Sequence, residues 1–292
     1  MLLAVPNFSE GRDRRRIEAI SNAFATGAAL LDTHSDPVHN RSVVTLNAPA
    51  GSLATALVNG ALACANDIDM REHDGCHPCI GALDVCPVVW LREEDREAAK
   101  EEALAVARRI AADAGVPIFL YGELALRESH RERAFFRAGG LVELRRRVDG
   151  GELRPDFGPS ELHPSAGATL VTARPPLAAF NVELADADVN AARDIAARLR
   201  ESGGGLDGVR AIGIDMGNGR TQVSTNIHDP IAVPLATVVR RIRELAAPHG
   251  AHAVGAEVVG LIPESALEGW PEKAPLAGFD PAKHVIERRV RI

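Results

Sequence analysis

The chain has 292 residues, 46% of them hydrophobic and 25% charged, which suits two folded domains of ordinary size and argues against disorder. Its formal charge of -7, with acidic and basic residues interleaved, is a poor match to a nucleic-acid binder, yet leaves room for an anionic small molecule in a locally positive cleft. No apolar run reaches the roughly 18 residues of a membrane span, the opening Met1-Leu2-Leu3-Ala4-Val5-Pro6 is too short for a signal-peptide core, and four cysteines do not make a disulfide scaffold, so the cytoplasm is the expected compartment.

In chain order, a strand is expected at Leu2 to Val5 and a helix at Arg14 to Phe24. Strands follow at Ala28 to Asp32 and Ser42 to Leu46, then a helix at Leu53 to Ala65 and a strand at Val85 to Leu91. An extra unit comes next. Ala99, Ala103, Val106 and Ile110 share one helical face, and Ile118 to Tyr121 reads as a strand. The last third has the clearest pattern. Leu177 to Leu184 is a strand, and Asp186 or Asp188 caps a helix whose apolar face holds Val189, Ala192, Ile195, Ala196 and Leu199. Glycines at Gly203 to Gly205 end it. Val209 to Ile214 and Gln222 to Ile227 flank Asn218-Gly219, a preferred tight-turn pair. Leu235, Val238, Val239, Ile242 and Leu245 mark a second amphipathic helix, and Val254 to Ile262 closes the set.

The order β-α-β-β-α-β is the ferredoxin-like unit, and the first half repeats it loosely. The expected fold class is therefore α+β, with two ferredoxin-like subdomains, residues 1–174 and 175–292, joined near Ala168 to Pro176. Each open sheet carries helices on one face, so the simplest packing turns the sheets toward each other, with helices outside and a ligand cleft between.

The densest polar cluster runs from His73 to Asp84, a loop rich in glycine and proline between a helix and a strand. Either His73 or His77 can exchange protons near neutral pH there. Cys76 and Cys79 form a C-x-x-C pair. It reads as a redox dithiol, as part of a zinc site with His73 and Cys86, or as two thiols without a task. Asp32, His34, Asp36, His39, Asn40 and Arg41 read either as metal ligands or as a turn at Asp36-Pro37 leading into the next strand. Glu123 is a cleft carboxylate or a helix-start residue. The loop Gly158-Pro159-Ser160-Glu161-Leu162-His163-Pro164-Ser165-Ala166-Gly167 can wrap a ligand with backbone N–H groups or serve as a linker. No phosphate loop, dinucleotide fingerprint or nucleophile elbow is present.

Several segments resemble the formiminotransferase family, in order and across residues 5 to 267. They include Val5-Pro6-Asn7-Phe8-Ser9-Glu10-Gly11, Asn40-Arg41-Ser42, His77-Pro78 with Gly81-Ala82-Leu83-Asp84-Val85-Cys86-Pro87, Pro155-Asp156-Phe157-Gly158-Pro159-Ser160, Gln222-Val223-Ser224-Thr225-Asn226 and Val259-Gly260-Leu261-Ile262-Pro263. The resemblance implies a folate tunnel enclosed by the two subdomains, and transfer of the formimino group of N-formimino-L-glutamate to N5 of tetrahydrofolate. It places the catalytic histidine on His77 and the folate loop on Gly158 to Gly167; beside these, Asp32 and Glu123 are candidates to orient His77 or a substrate, and Asn40 and Arg41 are candidates to bind substrate. It implies tetrahydrofolate as a substrate, no metal, small-molecule partners without nucleic acid or membrane, and no cyclodeaminase domain. A homodimer is left open. Cys76 and Cys79 depart from the pattern, standing where an acidic residue and an arginine are expected. Alternative readings are a formyl-transferring or 5-formyltetrahydrofolate-cyclising enzyme, and a non-catalytic folate-binding, metal or redox protein built on those two cysteines.

Overall fold

A computed structural model describes residues 1–217, 219–271 and 276–290. Two compact units divide the chain, Met1–Pro175 and Pro176–Arg291. No helix among the described residues is long and apolar enough to cross a membrane.

In the first unit, β1 (Leu2–Ala4) and β2 (Asn7–Phe8) form one strand interrupted at Pro6, which has no N–H to give to a ladder. Both halves lie antiparallel between β4 (Arg41–Ala48) and β5 (Leu83–Trp90). Strand β3 (Ala29–Asp36) pairs outside β4. Helix α1 (Arg14–Phe24) links β2 to β3, and α2 (Leu53–Asp67) links β4 to β5. The order β3-β4-β1-β5 is that of a ferredoxin-like sheet.

Three more elements extend this sheet. Helix α3 (Arg96–Ala114) leads to β6 (Ile118–Leu120), and β7 (Thr169–Arg174) inserts between β5 and β6, parallel to both. The segment expected as a junction is thus a central strand, buried from Thr169 to Ala173. Helices α4 (Arg133–Arg137) and α5 (Gly140–Asp149) lie in a stretch with no expected element.

Alternation along the strands explains why this end of the sheet is covered on both faces. Leu83, Cys86 and Val88 of β5 and Ile118 and Leu120 of β6 face the main core with α1, α2 and α3. Val85, Phe119 and Leu170 point the other way and pack with Phe136, Leu144 and Val148 of α4 and α5. Phe136 is fully buried, its ring 5.1 Å from that of Phe119. Truncating such an anchor costs about 3–5 kcal/mol, so the short α4 is held by packing, not by its own length.

The second unit follows β8 (Ala178–Ala185), α6 (Val189–Leu199), β9 (Val209–Gly217), β10 (Arg220–Ile227), α7 (Leu235–Ala246) and β11 (His252–Val258), with antiparallel order β11-β8-β10-β9. Asp188 is the cap of α6, accepting from the Ala191 N–H at 2.7 Å. The closing strand ends at Val258, short of the expected Ile262, because Gly260 turns the chain at a φ of +73° and Pro263 follows. In the expected hairpin turn, Gly219 takes a φ of +74°, while Asn218 lies outside the described residues.

Candidate active site

The loop between α2 and β5 carries His73, Cys76, His77 and Cys79. Both its ends are stitched to the loop of residues 158–167 and the residue after it by backbone. The Ala82 N–H donates to the Ala166 carbonyl at 2.9 Å, the Ala168 N–H to the Ile80 carbonyl at 3.0 Å, and the Met70 N–H to the Ser165 carbonyl at 2.7 Å. Both chains need glycine at this joint. A Cβ on Gly81 would lie 2.0 Å from the Ala168 oxygen, and one on Gly167 would lie 2.3 Å from the Ile80 oxygen. His163 closes the second loop on itself, accepting at Nδ1 from the Ala166 N–H at 2.9 Å. Gly158, Pro159, Ser160 and Glu161 line a cavity of about 630 Å³ together with Arg145 and Arg154 of the same unit, within the usual size range for small-molecule pockets. Leu162 is buried in the core beneath α5, and Pro164 continues the turn.

His77 is half-buried, with Nδ1 2.9 Å from the Pro78 carbonyl oxygen. A carbonyl only accepts, so this contact puts the proton on Nδ1 and leaves the Nε2 lone pair free. Burial, and then the charges of Arg41, Arg137, His39 and Arg133, hold the His77 pKa well below the ordinary 6.5, so the ring is neutral at pH 7.

His39 lies edge-on to His77, with ring centroids 5.8 Å apart. The Asp36 carboxylate accepts from His39 Nδ1 at 2.7 Å and from the backbone N–H groups of Val38 and His39. Burial alone raises the Asp36 pKa, but these bonds outweigh it and hold it below the carboxylate norm. His39 Nε2 is buried and has no partner among the described residues. The turn reading of Asp36-Pro37 therefore holds, and Asp36 serves to orient an imidazole.

Asn40 adopts a φ of +47° and joins three segments. Its Oδ1 accepts from the Gly11 N–H at 2.9 Å, and its Nδ2 donates to the Asp74 carbonyl at 3.0 Å. Arg41 donates to Asp84 Oδ2 at 2.7 Å and, through Nε and Nη2, to Asn7 Oδ1. Arg137 donates to the same Asp84 oxygen, while Asp84 Oδ1 accepts from the Ile80 N–H at 2.9 Å. Burial raises the Asp84 pKa, but the guanidinium charges of Arg137 and Arg41 win and hold it below the ordinary value.

Other candidates stand elsewhere. Asp32 is on β3, opposite Thr45. Glu123 accepts from Arg96 at 2.7 Å and lies 3.6 Å from Lys100. No hydrogen bond or ion pair joins either carboxylate to His77 among the described residues. None of the four cysteines is in a disulfide among the described residues, Cys76 being exposed and Cys79 half-buried. Among the described residues, no three His, Cys, Asp or Glu side chains gather as a metal would need.

Sequence reasoning assigned no role to Asn7, Asp84, Arg133 or Arg137. The usable signal was a charged residue inside a buried strand: an Asp in the run Leu83–Trp90 demands a cationic partner.

The model of the formiminotransferase domain N-terminal subdomain matches residues 1–174, and that of the formiminotransferase domain matches residues 179–269. The chain is 35% identical to the glutamate formimidoyltransferase of Streptococcus pyogenes over 290 residues, covering 98% of this chain and 97% of that protein. The glutamate formimidoyltransferase of Thermoplasma acidophilum is also 35% identical, over 98% of this chain and 96% of its own. The formimidoyltransferase-cyclodeaminase of Sus scrofa is 41% identical over 90% of this chain but only 50% of its own length.

Proposed function

The chain belongs to the formiminotransferase family, and we propose that it moves the formimino group of N-formimino-L-glutamate to N5 of tetrahydrofolate, giving 5-formiminotetrahydrofolate and glutamate. The observation that carries the mechanism is the contact of His77 Nδ1 with the Pro78 carbonyl, which commits the ring proton to Nδ1 and leaves Nε2 without a partner among the described residues, in a setting that lowers the ring's pKa.

N5 attacks the amidine carbon of the donor, and a tetrahedral intermediate forms. Nε2 of His77 takes the proton that N5 loses, and the resulting imidazolium returns it to the departing glutamate nitrogen. Such help contributes about 10²–10⁴ in rate, and alignment of two bound substrates supplies the rest. The folate lies along the loop from Gly158 to Gly167, where the cavity beside Ser160 and Glu161 has the required size. His39, held in place by Asp36, packs edge-on against the imidazole. Asn40 and Arg41 act as the posts of the site. Tetrahydrofolate is consumed as a substrate, the reading calls for no metal, and the enzyme works on small molecules in the cytoplasm.

The test is His77→Ala. The variant should bind tetrahydrofolate as the parent does and lose about 10²–10⁴ of turnover, read as glutamate released from formiminoglutamate. Unchanged glutamate release would reject the role.

A further inference from the structure

Positive charge is poorly matched around Asp84. Its side chain is fully buried, and a single oxygen receives both Arg41 and Arg137. The other oxygen is taken by the Ile80 N–H. Arg137 is largely buried and keeps its Nε without an acceptor among the described residues. A buried donor left unpaired is costly, and native structures rarely tolerate one without a reason. One turn earlier on α4, Arg133 rests half-buried with its guanidinium 6.0 Å from the centroid of the Tyr121 ring. It donates no hydrogen bond among the described residues. Asp36, the carboxylate on the His39 side, is already engaged by that imidazole and by two backbone N–H groups.

We infer that Arg133 and Arg137 of α4, together with Arg41, form a dicarboxylate-binding subsite beside His77 that takes the two carboxylates of the glutamyl donor. Three guanidiniums facing one carboxylate leave two positive charges over, and a glutamyl group carries two negative ones. The Arg133 fork and the Arg137 Nε supply donors whose geometry matches planar carboxylates. Position agrees as well. The α-carboxylate of the donor is attached to the carbon that bears the formimino nitrogen, so its cation must stand near the acid–base group. All three arginines lie close enough to His77 to depress its basicity. A bound dicarboxylate cancels that field and makes His77 a stronger base when the donor is in place.

This inference rests on the formimino-transfer reading for the donor's identity, and the experiment separates the two. Glutarate, a five-carbon dicarboxylate that cannot react, is titrated calorimetrically into the full chain, with butyrate as the single-carboxylate control. Glutarate should bind and butyrate should not. Arg133→Gln should weaken glutarate by about tenfold or more, a change of ~1.4 kcal/mol, and Arg133→Lys should recover part of it. In turnover, Arg133→Gln should raise KM for formiminoglutamate rather than lower kcat, and leave the tetrahydrofolate titration unmoved. In the parent, the acid limb of kcat should lie at higher pH than that of kcat/KM. Because the Arg133 side chain makes no hydrogen bond among the described residues, the variant should melt with the parent. Absence of glutarate binding to the parent, or binding that survives Arg133→Gln, overturns the subsite whether or not formimino transfer occurs. If the substitution instead weakens p-aminobenzoyl-glutamate and spares glutarate, the cluster holds the folate tail and the donor assignment is wrong.

Discussion

Asp84→Asn is the substitution that most directly tests how the site is held. Asparagine keeps the shape of the side chain, and its amide oxygen can still accept from one partner. What it loses is the charge that faces Arg41 and Arg137 in a place with no solvent. Charge-assisted hydrogen bonds are worth about 1.5–3 kcal/mol each, and breaking a buried ion pair by removing one partner costs about 3–5 kcal/mol. With one acceptor retained, the lower end applies, ~3 kcal/mol. In a unit of 150–250 residues each kcal/mol moves the melting temperature by roughly 2–4 °C, so the first unit should melt about 6–12 °C earlier.

Scanning calorimetry at pH 7 reads this directly, and the pH dependence checks the cause. The carboxyl of Asp84 titrates below its ordinary value in the folded protein. Its contribution is therefore complete above the unfolded value of about 3.9. It is lost as pH falls through the lower folded value. The gap between parent and variant should persist through pH 5 and close only in stronger acid. Asp32→Asn, on β3 with a side chain that makes no hydrogen bond among the described residues, is the control and should stay within about 0.5 kcal/mol. An Asp84→Asn protein melting within about 1 °C of the parent at pH 7 would refute the argument that this carboxylate organises the cluster.

Three further outcomes are expected. Because the free imidazole of His77 titrates well below 6.5, kcat/KM should stay level from pH 8 down past 6.5 and fall only at lower pH; a half-maximal value at or above 6.5 contradicts the assigned environment. Gly81→Ala drives a Cβ to 2.0 Å from the Ala168 oxygen and 2.8 Å from that of Ala166. It should cost about 1–3 kcal/mol and weaken tetrahydrofolate binding by parting the two loops, checked by melting and by titration; unchanged values would show that the joint does not shape the folate site. Under limiting iodoacetamide at pH 7.5, Cys76 should be alkylated first. Burial raises Cys79 and Cys64 and pushes Cys86 up to about 12, and peptide mass analysis showing Cys79 labelled as fast as Cys76 would overturn this order.

Where a periodic apolar face meets a cap, the sequence displayed the fold plainly. Helices α1 and α6 begin and end where their patterns do, because Asp13 and Asp188 cap them and Ile17, Ile20, Ile195 and Leu199 fall on one buried side. Strand β7 was harder to read. Its run of buried residues abuts Pro175-Pro176, and a proline pair signals a link as strongly as Leu170 and Val171 signal a strand. Helix α5 had a usable signal in Leu141, Leu144 and Val148, but Gly139 and Gly140, both at positive φ, disguised its start. Helix α4 is too short for any periodicity to mark it.

The same division runs through the site. His77 and the loop from Gly158 to Gly167 could be picked out because glycine, proline and polar side chains gather locally in each. Arg133 and Arg137 could not, because they come from a helix more than 50 residues downstream of His77 and meet it only through packing. What connects the two parts is Asp84. By strand propensity a carboxylate in the buried strand β5, one residue in from its start, is an error. In the fold, one of its oxygens fixes Ile80, at the end of the loop that carries His77, and the other gathers Arg41 from β4 and Arg137 from α4. A residue that weakens the strand thereby sets both the height of the acid–base loop and the position of the cations beside it. It follows that removing this charge should disturb donor binding as well as stability, and that a variant restoring stability without a carboxylate at this position should not restore the discrimination between two-carboxylate and one-carboxylate donors.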